Sequence, residues 1–220
     1  MWSREVINML ITGIGETLYM SVVSTILGYV LGIPMGIILT LTRKDGLRPN
    51  AIIYKILDVI VNIIRSIPFL IGLVLLIPLT KIIVGKSYGS TACIVPLVFA
   101  AAPFIARMVE SSLNEVDAGV IEAAKSMGAS NFIIVLKVLL VEAKISLISG
   151  ATIAFGTIFG YSAMAGVVGG GGLGDIAIRY GYYRYEADIM IVSVILLVIL
   201  VQIFQTVGTR IATKTDRRRA

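Results

Sequence analysis

Very little in this chain is suited to covalent chemistry. It has no histidine and a single cysteine, Cys93. That excludes a Ser-His-Asp or Cys-His set and an internal disulfide, and it removes the commonest metal ligand. The carboxylates are not grouped in the pairs that hydrolysis of a glycosidic bond needs. The expectation is therefore no catalytic residue, no metal and no resident cofactor. What remains are residues suited to binding, gating and packing. Lys55, Asp58, Asn62 and Arg65 follow one another at steps of 3, 4 and 3, which places all four on one face of a helix. Charges in apolar surroundings need a partner, so Asp58 and Arg65 either anchor helices by hydrogen bonding or form a proton or ion relay. Tyr161, Ser162 and Met164 interrupt another apolar run with groups suited to a narrow path. Met164 there is either a flexible apolar gate that seals against a symmetry mate, or ordinary core packing. Gly169 to Gly172 with Gly174 have the glycine density of a phosphate-binding loop, but no Lys-Ser/Thr follows and no strand precedes. A re-entrant or exposed hinge loop, touching an external partner, fits that cluster better.

The elements that position these residues are set by composition. Hydrophobic residues make up 57% of the 220, charged residues 15%, and the mean hydropathy is +0.96. A soluble domain of this size has too little interior for so much apolar surface. Uncharged runs cover about 26 residues from Thr17 to Thr42, about 20 from Ser87 to Ala106, about 30 from Ile145 to Gly174 and about 21 from Ile189 to Thr209. A helix needs about 20 residues to cross a bilayer, so four spans are read directly. A fifth combines the short clean run Ser66 to Thr80 with the polar-striped segment before it, starting near Ile52. The reading is an all-α integral membrane protein forming one domain over 1–220, with spans about 17–42, 52–80, 87–106, 141–166 and 188–210. The first apolar run is too long for a signal-peptide core, so no cleavable signal is expected.

Net charge is +6, but the basic residues lie between spans and at the tail rather than in a soluble basic domain, so a nucleic-acid partner is not expected. Their distribution orients the chain. Arg43, Lys44, Arg48, Lys55, Arg107, Lys125, Lys137, Lys144, Arg210, Lys214, Arg217, Arg218 and Arg219 fall on one side. Only Arg4, Lys81, Lys86, Arg179 and Arg184 fall on the other. The positive-inside rule then puts the N-terminus outside and the C-terminus in the cytoplasm. Gly28, Gly32 and Gly36 form a ridge that admits a neighbouring backbone, within the chain or across a subunit interface. Pro34, Pro68, Pro78, Pro96 and Pro103 are expected to kink or break spans. Tyr180, Tyr182, Tyr183 and Tyr185, with Arg179 and Arg184, suit an interfacial belt or a docking surface.

The stretch between the third and fourth spans, about 107–140, is too long for a passive turn. Asp117 is placed to cap a short helix through Ile121, Ala123 and Ala124, and Gly128 to stop it. Ser130 or Asn131 is placed to cap the next one. A short helix of small residues ended by glycine, held at the cytoplasmic surface, makes a docking knob for a partner groove.

Glu122-Ala123-Ala124 with Gly128 resembles the EAA loop of ABC importer permeases. Ile60 to Phe69, Ala101 to Glu110, Gly160 to Gly166 and Gly169 to Tyr182 resemble the permease subunit of the methionine-uptake family, and the likeness covers nearly the whole chain. One departure is Val141, where many members carry proline; it bears on the local bend before the fourth span. The resemblance implies a type I importer fold. It also implies a homodimer in the inner membrane bound to two cytoplasmic ATPases, fed by an external substrate-binding lipoprotein, and moving methionine or a related small amino acid by alternating access. ATP hydrolysis would belong to the ATPase subunits. It further implies that Glu122, Ala123, Ala124, Met127, Gly128 and Ala129 form the coupling helix, with Glu122 either touching the ATPase or stabilising its own helix. The segment with Tyr161, Ser162 and Met164 would lie near the central path. The residues themselves leave two other classes open: a small ion-coupled transporter or channel subunit using Asp58 and Arg65, and a scaffold subunit with no path of its own.

Overall fold

The computed structural model describes residues 3–215; Arg217, Arg218 and Arg219 of the basic tail lie outside them. Every regular element among the described residues is helical. Helix α1 (Arg4–Thr42) starts on Ser3, whose hydroxyl accepts from the Val6 N–H, and runs 39 residues. It begins well before the expected span because Arg4, Glu5 and Glu16 are good helix formers; charge limits membrane burial, not helix formation. The chain turns at 43–50, and Asn50 caps α2 (Ala51–Ser66) by accepting from Ile52 and Ile53 N–H at 3.1 Å each.

The second span is broken at Pro68, one of the prolines expected to kink or break a span. The chain bends by 102° between α2 and α3 (Phe69–Leu75). Pro68 causes this: it pushes Ile67 out of the α region, and Pro68 itself stands at the N-cap of α3 in an extended conformation. Helix α4 (Ile77–Val84) follows with Pro78 in its first turn and ends on Gly85, at φ +81°. Pro34, Pro96 and Pro103 do not break their helices; each lies inside a continuous one.

Helix α5 (Ser90–Asn114) is the hub of the fold, packed along α1 and against α9 (Lys144–Ala165). The glycine ridge of α1 faces it. A Cβ on Gly28 would stand 2.9 Å from that of Ala101, one on Gly32 2.9 Å from the Ala102 carbonyl oxygen, and one on Gly36 2.7 Å from the Ala106 carbonyl oxygen. The ridge therefore serves packing within the chain. Around this contact the main core collects Met20, Leu97, Ile105, Val109, Leu113 and Ile158.

After α5 come the short α6 (Ala118–Ser126) and a run made of α7 (Asn131–Ile133), a π-helical segment Ile134–Leu139 and α8 (Leu140–Glu142). Ala143 alone separates that run from α9, and Ala143 N–H still donates to the Leu139 carbonyl and Leu147 N–H to that of Ala143, with Val141 in place of proline. A 3₁₀ turn Gly166–Val168, α10 (Gly172–Ile176) and a second π-helical segment Ala177–Tyr182 lead to α11 (Ala187–Thr215). Four helices are long and apolar enough to cross a membrane: α1, α5, α9 extended to Val168, and α11. The bent α2–α3 pair makes up to five.

Candidate functional site

The protruding surface is built by α6. Asp117 opens it, accepting from the Gly119 N–H at 2.7 Å. Its end is a Schellman motif: Gly128 N–H donates to the Lys125 carbonyl at 2.9 Å and Ala129 N–H to that of Ala124 at 3.1 Å, with Gly128 at φ +79°. A Cβ at Gly128 would meet nothing within 4 Å, so backbone conformation alone asks for glycine there. Ser130 caps the following turn through the Ile133 N–H.

The six residues singled out in this loop divide into two sets. Ala124 is 4% exposed and belongs to the main core with Ile134, Val135 and Leu139, so it faces inward and anchors α6 to the π-helical segment. Ala129 packs at the edge of the same core. Glu122, Ala123 and Gly128 are exposed, and Met127 is 81% exposed at the tip. A long apolar side chain standing free at a helix end is an adaptable contact for a partner surface. A cleft of about 220 Å³ runs beside it, lined by Arg43, Asp45 and Leu47 of the α1–α2 turn and by Ile121, Glu122 and Lys125 of α6. The turn and α6 thus share one end of the molecule.

The polar stripe of α2 is resolved by a residue assigned above to the loop. Arg107 lies inside α5, which continues to Asn114, so the loop begins later than position 107. The guanidinium donates to Asp58, to Asn62 Oδ1 at 2.9 Å and to Glu110 Oε2 at 2.6 Å. Asn62 Nδ2 donates to Asp58 at 3.3 Å, and the Tyr54 hydroxyl reaches Glu110 at 3.5 Å. The Arg107 guanidinium thus ties α5 to α2 through Asp58, which is partly shielded from solvent, while the nearly buried Glu110 holds it from one turn along α5 itself. Of the two readings left open for Asp58 and Arg65, Asp58 does anchor helices by hydrogen bonding, whereas Arg65, like Lys55, is exposed and outside the cluster. Sequence reasoning missed Arg107 and Glu110. Their spacing of three within an apolar helix was the available signal.

On α9, Tyr161 stacks on Phe69 of α3 with ring centroids 4.5 Å apart. Ser162 is buried, accepting from Ser21 at 3.1 Å and donating to the Phe159 carbonyl at 2.7 Å, so its hydroxyl joins α9 to α1. Met164 is 47% exposed on the open face of the helix. The three residues therefore do different things: one stacks, one staples, and one stands free.

The glycine cluster is a buried knot rather than an exposed hinge. Gly172 N–H donates to the Glu16 carboxylate at 2.6 Å and Leu173 N–H to Thr17 Oγ1 at 2.9 Å, so α1 caps α10. Gly169 accepts from Gly89 N–H at 3.0 Å. Leu173 is 0% exposed, and a Cβ at Gly170 would stand 2.7 Å from the Ala165 carbonyl oxygen. Close neighbours on α1, α5 and α9 leave no room for side chains at Gly170, Gly172 and Gly174, whereas Gly169 meets nothing within 4 Å and is asked for by its φ of +77°. The anion at the α10 N-terminus is Glu16 itself. Beyond the knot Asp175 pairs with Arg179 at 2.6 Å, Arg184 lies 4.6 Å over the Tyr180 ring, and Tyr182, Tyr183 and Tyr185 are exposed.

This arrangement has relatives. The family model described as the binding-protein-dependent transport system inner membrane component matches residues 32–220. A probable D-methionine transport system permease protein, MetI of Vibrio cholerae, is 50% identical over 211 residues, 96% of this chain and 94% of that protein. The D-methionine transport system permease protein MetI of Escherichia coli K12 is 51% identical over 164 residues, 74% of this chain and 76% of that one. Among solved structures, a chain of the MetNI methionine ABC transporter in inward-facing conformations has a TM-score of 0.96 at 50% identity, with 98% of this chain and 100% of that one covered. An amino-acid ABC transporter solved with histidines shares the fold at a TM-score of 0.79 and 19% identity, covering 96% and 95% of the two chains.

Proposed function

This chain belongs to the binding-protein-dependent transport system inner membrane components, and from that premise we propose that it is the membrane-spanning permease subunit of an ATP-driven importer of methionine or a related small amino acid. It works as a homodimer with two cytoplasmic ATPases and an external binding lipoprotein, and it has no catalytic residue of its own. The observation that carries this reading is α6: a capped, glycine-terminated helix, anchored by Ala124 and presenting Ala123 and Met127 outward.

The mechanism follows from that anchoring. A partner that pulls or turns α6 acts on Ala124, and through it on the π-helical segment leading into α9. Helix α9 carries Tyr161 and Met164, so displacement at the docking end reaches the path without any chemistry inside the chain. Met164 is the gate, and Tyr161 ties the path wall to α3. Glu122, Ala123, Met127 and Gly128 form the docking surface, while Ala124 and Ala129 transmit its movement. The end bearing α6, the α1–α2 turn and their basic residues is cytoplasmic, which leaves Ser3 and the knot at Gly169 to Gly172 outside.

Copurification with the cognate ATPase tests this. Met127→Asp and Ala123→Arg alter only exposed positions and should abolish ATPase association while insertion and thermal stability persist. Ala124→Arg is a poorer probe, because it places a charge in the core. Normal association by both exposed variants contradicts the assignment of α6.

A further inference from the structure

Helix α11 carries two amides where a bilayer tolerates none. Gln202 and Gln205 lie in its middle third, and both are exposed. They stand three residues apart, so they share a face with Val198, whereas Ile199, Ile203 and Val207 present a purely apolar face beside it. Hydroxyls on the adjoining stretch of α9 are satisfied within their own helix: Thr152 donates to the Ile148 carbonyl and Thr157 to that of Ile153. The two glutamine amides make no hydrogen bond among the described residues. An amide at that depth without a partner is strongly unfavourable against lipid, so it faces protein or a polar cavity.

Position decides between those. Gln205 Nε2 would stand 3.3 Å from a Cβ on Gly156, and Gln202 lines a groove of about 230 Å³ with Phe159, Gly160 and Ala163 of α9. A Cβ on Gly160 would meet nothing within 4 Å, so this side of α9 is open. The same open side continues to Met164, and the stack of Tyr161 on Phe69 closes its far edge against α3. Helix α9 therefore presents one face bounded by α3 on one side and by the two amides of α11 on the other.

We propose that Gln202 and Gln205 form the hydrogen-bonding wall of the transport path and contact the substrate as it passes, an inference that rests on the path reading of Met164. A primary amide both donates and accepts. A pair of them spaced along one helix face can follow the ammonium and carboxylate of a zwitterionic amino acid without holding it as a full charge would.

The test uses the assembled permease, ATPase and binding protein in proteoliposomes, in a Cys93→Ala background. A charged, water-borne methanethiosulfonate is applied to both sides of Gln202→Cys, Gln205→Cys, Met164→Cys and the lipid-facing control Ile199→Cys. The wall predicts labelling at both glutamine positions about tenfold faster than at the control, with a rate that changes on adding methionine and ATP. In parallel, Gln205→Leu should raise the KM for uptake while Gln205→Asn restores it and ATPase association stays normal. Labelling at Met164→Cys with both glutamine positions as slow as the control overturns the wall and leaves the path reading standing. A disulfide forming between two Gln202→Cys copies, without labelling, assigns the amides to the subunit interface and also overturns it. Slow labelling at all three, Met164→Cys included, overturns the path reading itself.

Discussion

At the residue scale, the most consequential contact is the one between Arg107 and its two carboxylates. Removing the guanidinium strands Asp58 and Glu110 in surroundings that shield both from water. Arg107→Met is expected to destabilise the fold by about 1–3 kcal/mol, the cost of leaving a partly shielded charged group without its partner. Thermal melting in detergent should show it, and a double-mutant cycle with Asp58→Asn should recover part of the loss. An unchanged melting point for Arg107→Met would mean the cluster contributes nothing. The sequence exposed half of this site. The steps of 3, 4 and 3 from Lys55 to Arg65 correctly put four polar groups on one face, but helical periodicity says nothing about which residue of another helix will meet them. Asp58 found Arg107, forty-nine positions away, instead of Arg65 on its own helix. Gln202 and Gln205 passed unnoticed for a related reason: two amides barely lower the hydropathy of a long apolar run.

At the scale of elements, helix packing and helix ends can be perturbed separately. Gly32→Val forces a branched side chain into Ile105 and the Ala102 carbonyl. Overpacking of this kind costs about 1–3 kcal/mol, so a reduced melting temperature with α6 unaffected is expected. Gly128→Val acts in open space and only through φ, where a β-branched residue strains the left-handed conformation. It should fray α6 and lower coupled uptake while the melting temperature of the membrane core stays near wild type. A core melting shift as large as that of Gly32→Val would show that α6 is not an independent element. The helix caps at Asp117, Ser130 and Gly128 were legible because capping is local chemistry. A break at Pro68 was legible too, but its angle of 102° and the burial of the glycine knot were not, because both depend on what packs against them. Glu16 and Thr17 cap α10 from 156 residues away, a pairing that no window of sequence contains.

At the scale of the whole molecule, the proposed docking surface and the proposed path lie in different regions joined by one helix. Helix α6 leans on the segment that becomes α9, and α9 carries the open face with Met164. An ion-driven protein would instead need a titratable relay along the span, and the relay considered for it, Asp58 with Arg65, is not assembled: Asp58 is committed to Arg107. The measurement that tests the account most directly is uptake of labelled methionine by proteoliposomes holding this chain, its ATPase and its binding protein. Uptake that requires ATP, ignores a collapsed proton gradient and disappears with Met127→Asp is the predicted result. Uptake that proceeds without ATP, follows the proton gradient and survives Met127→Asp would contradict it.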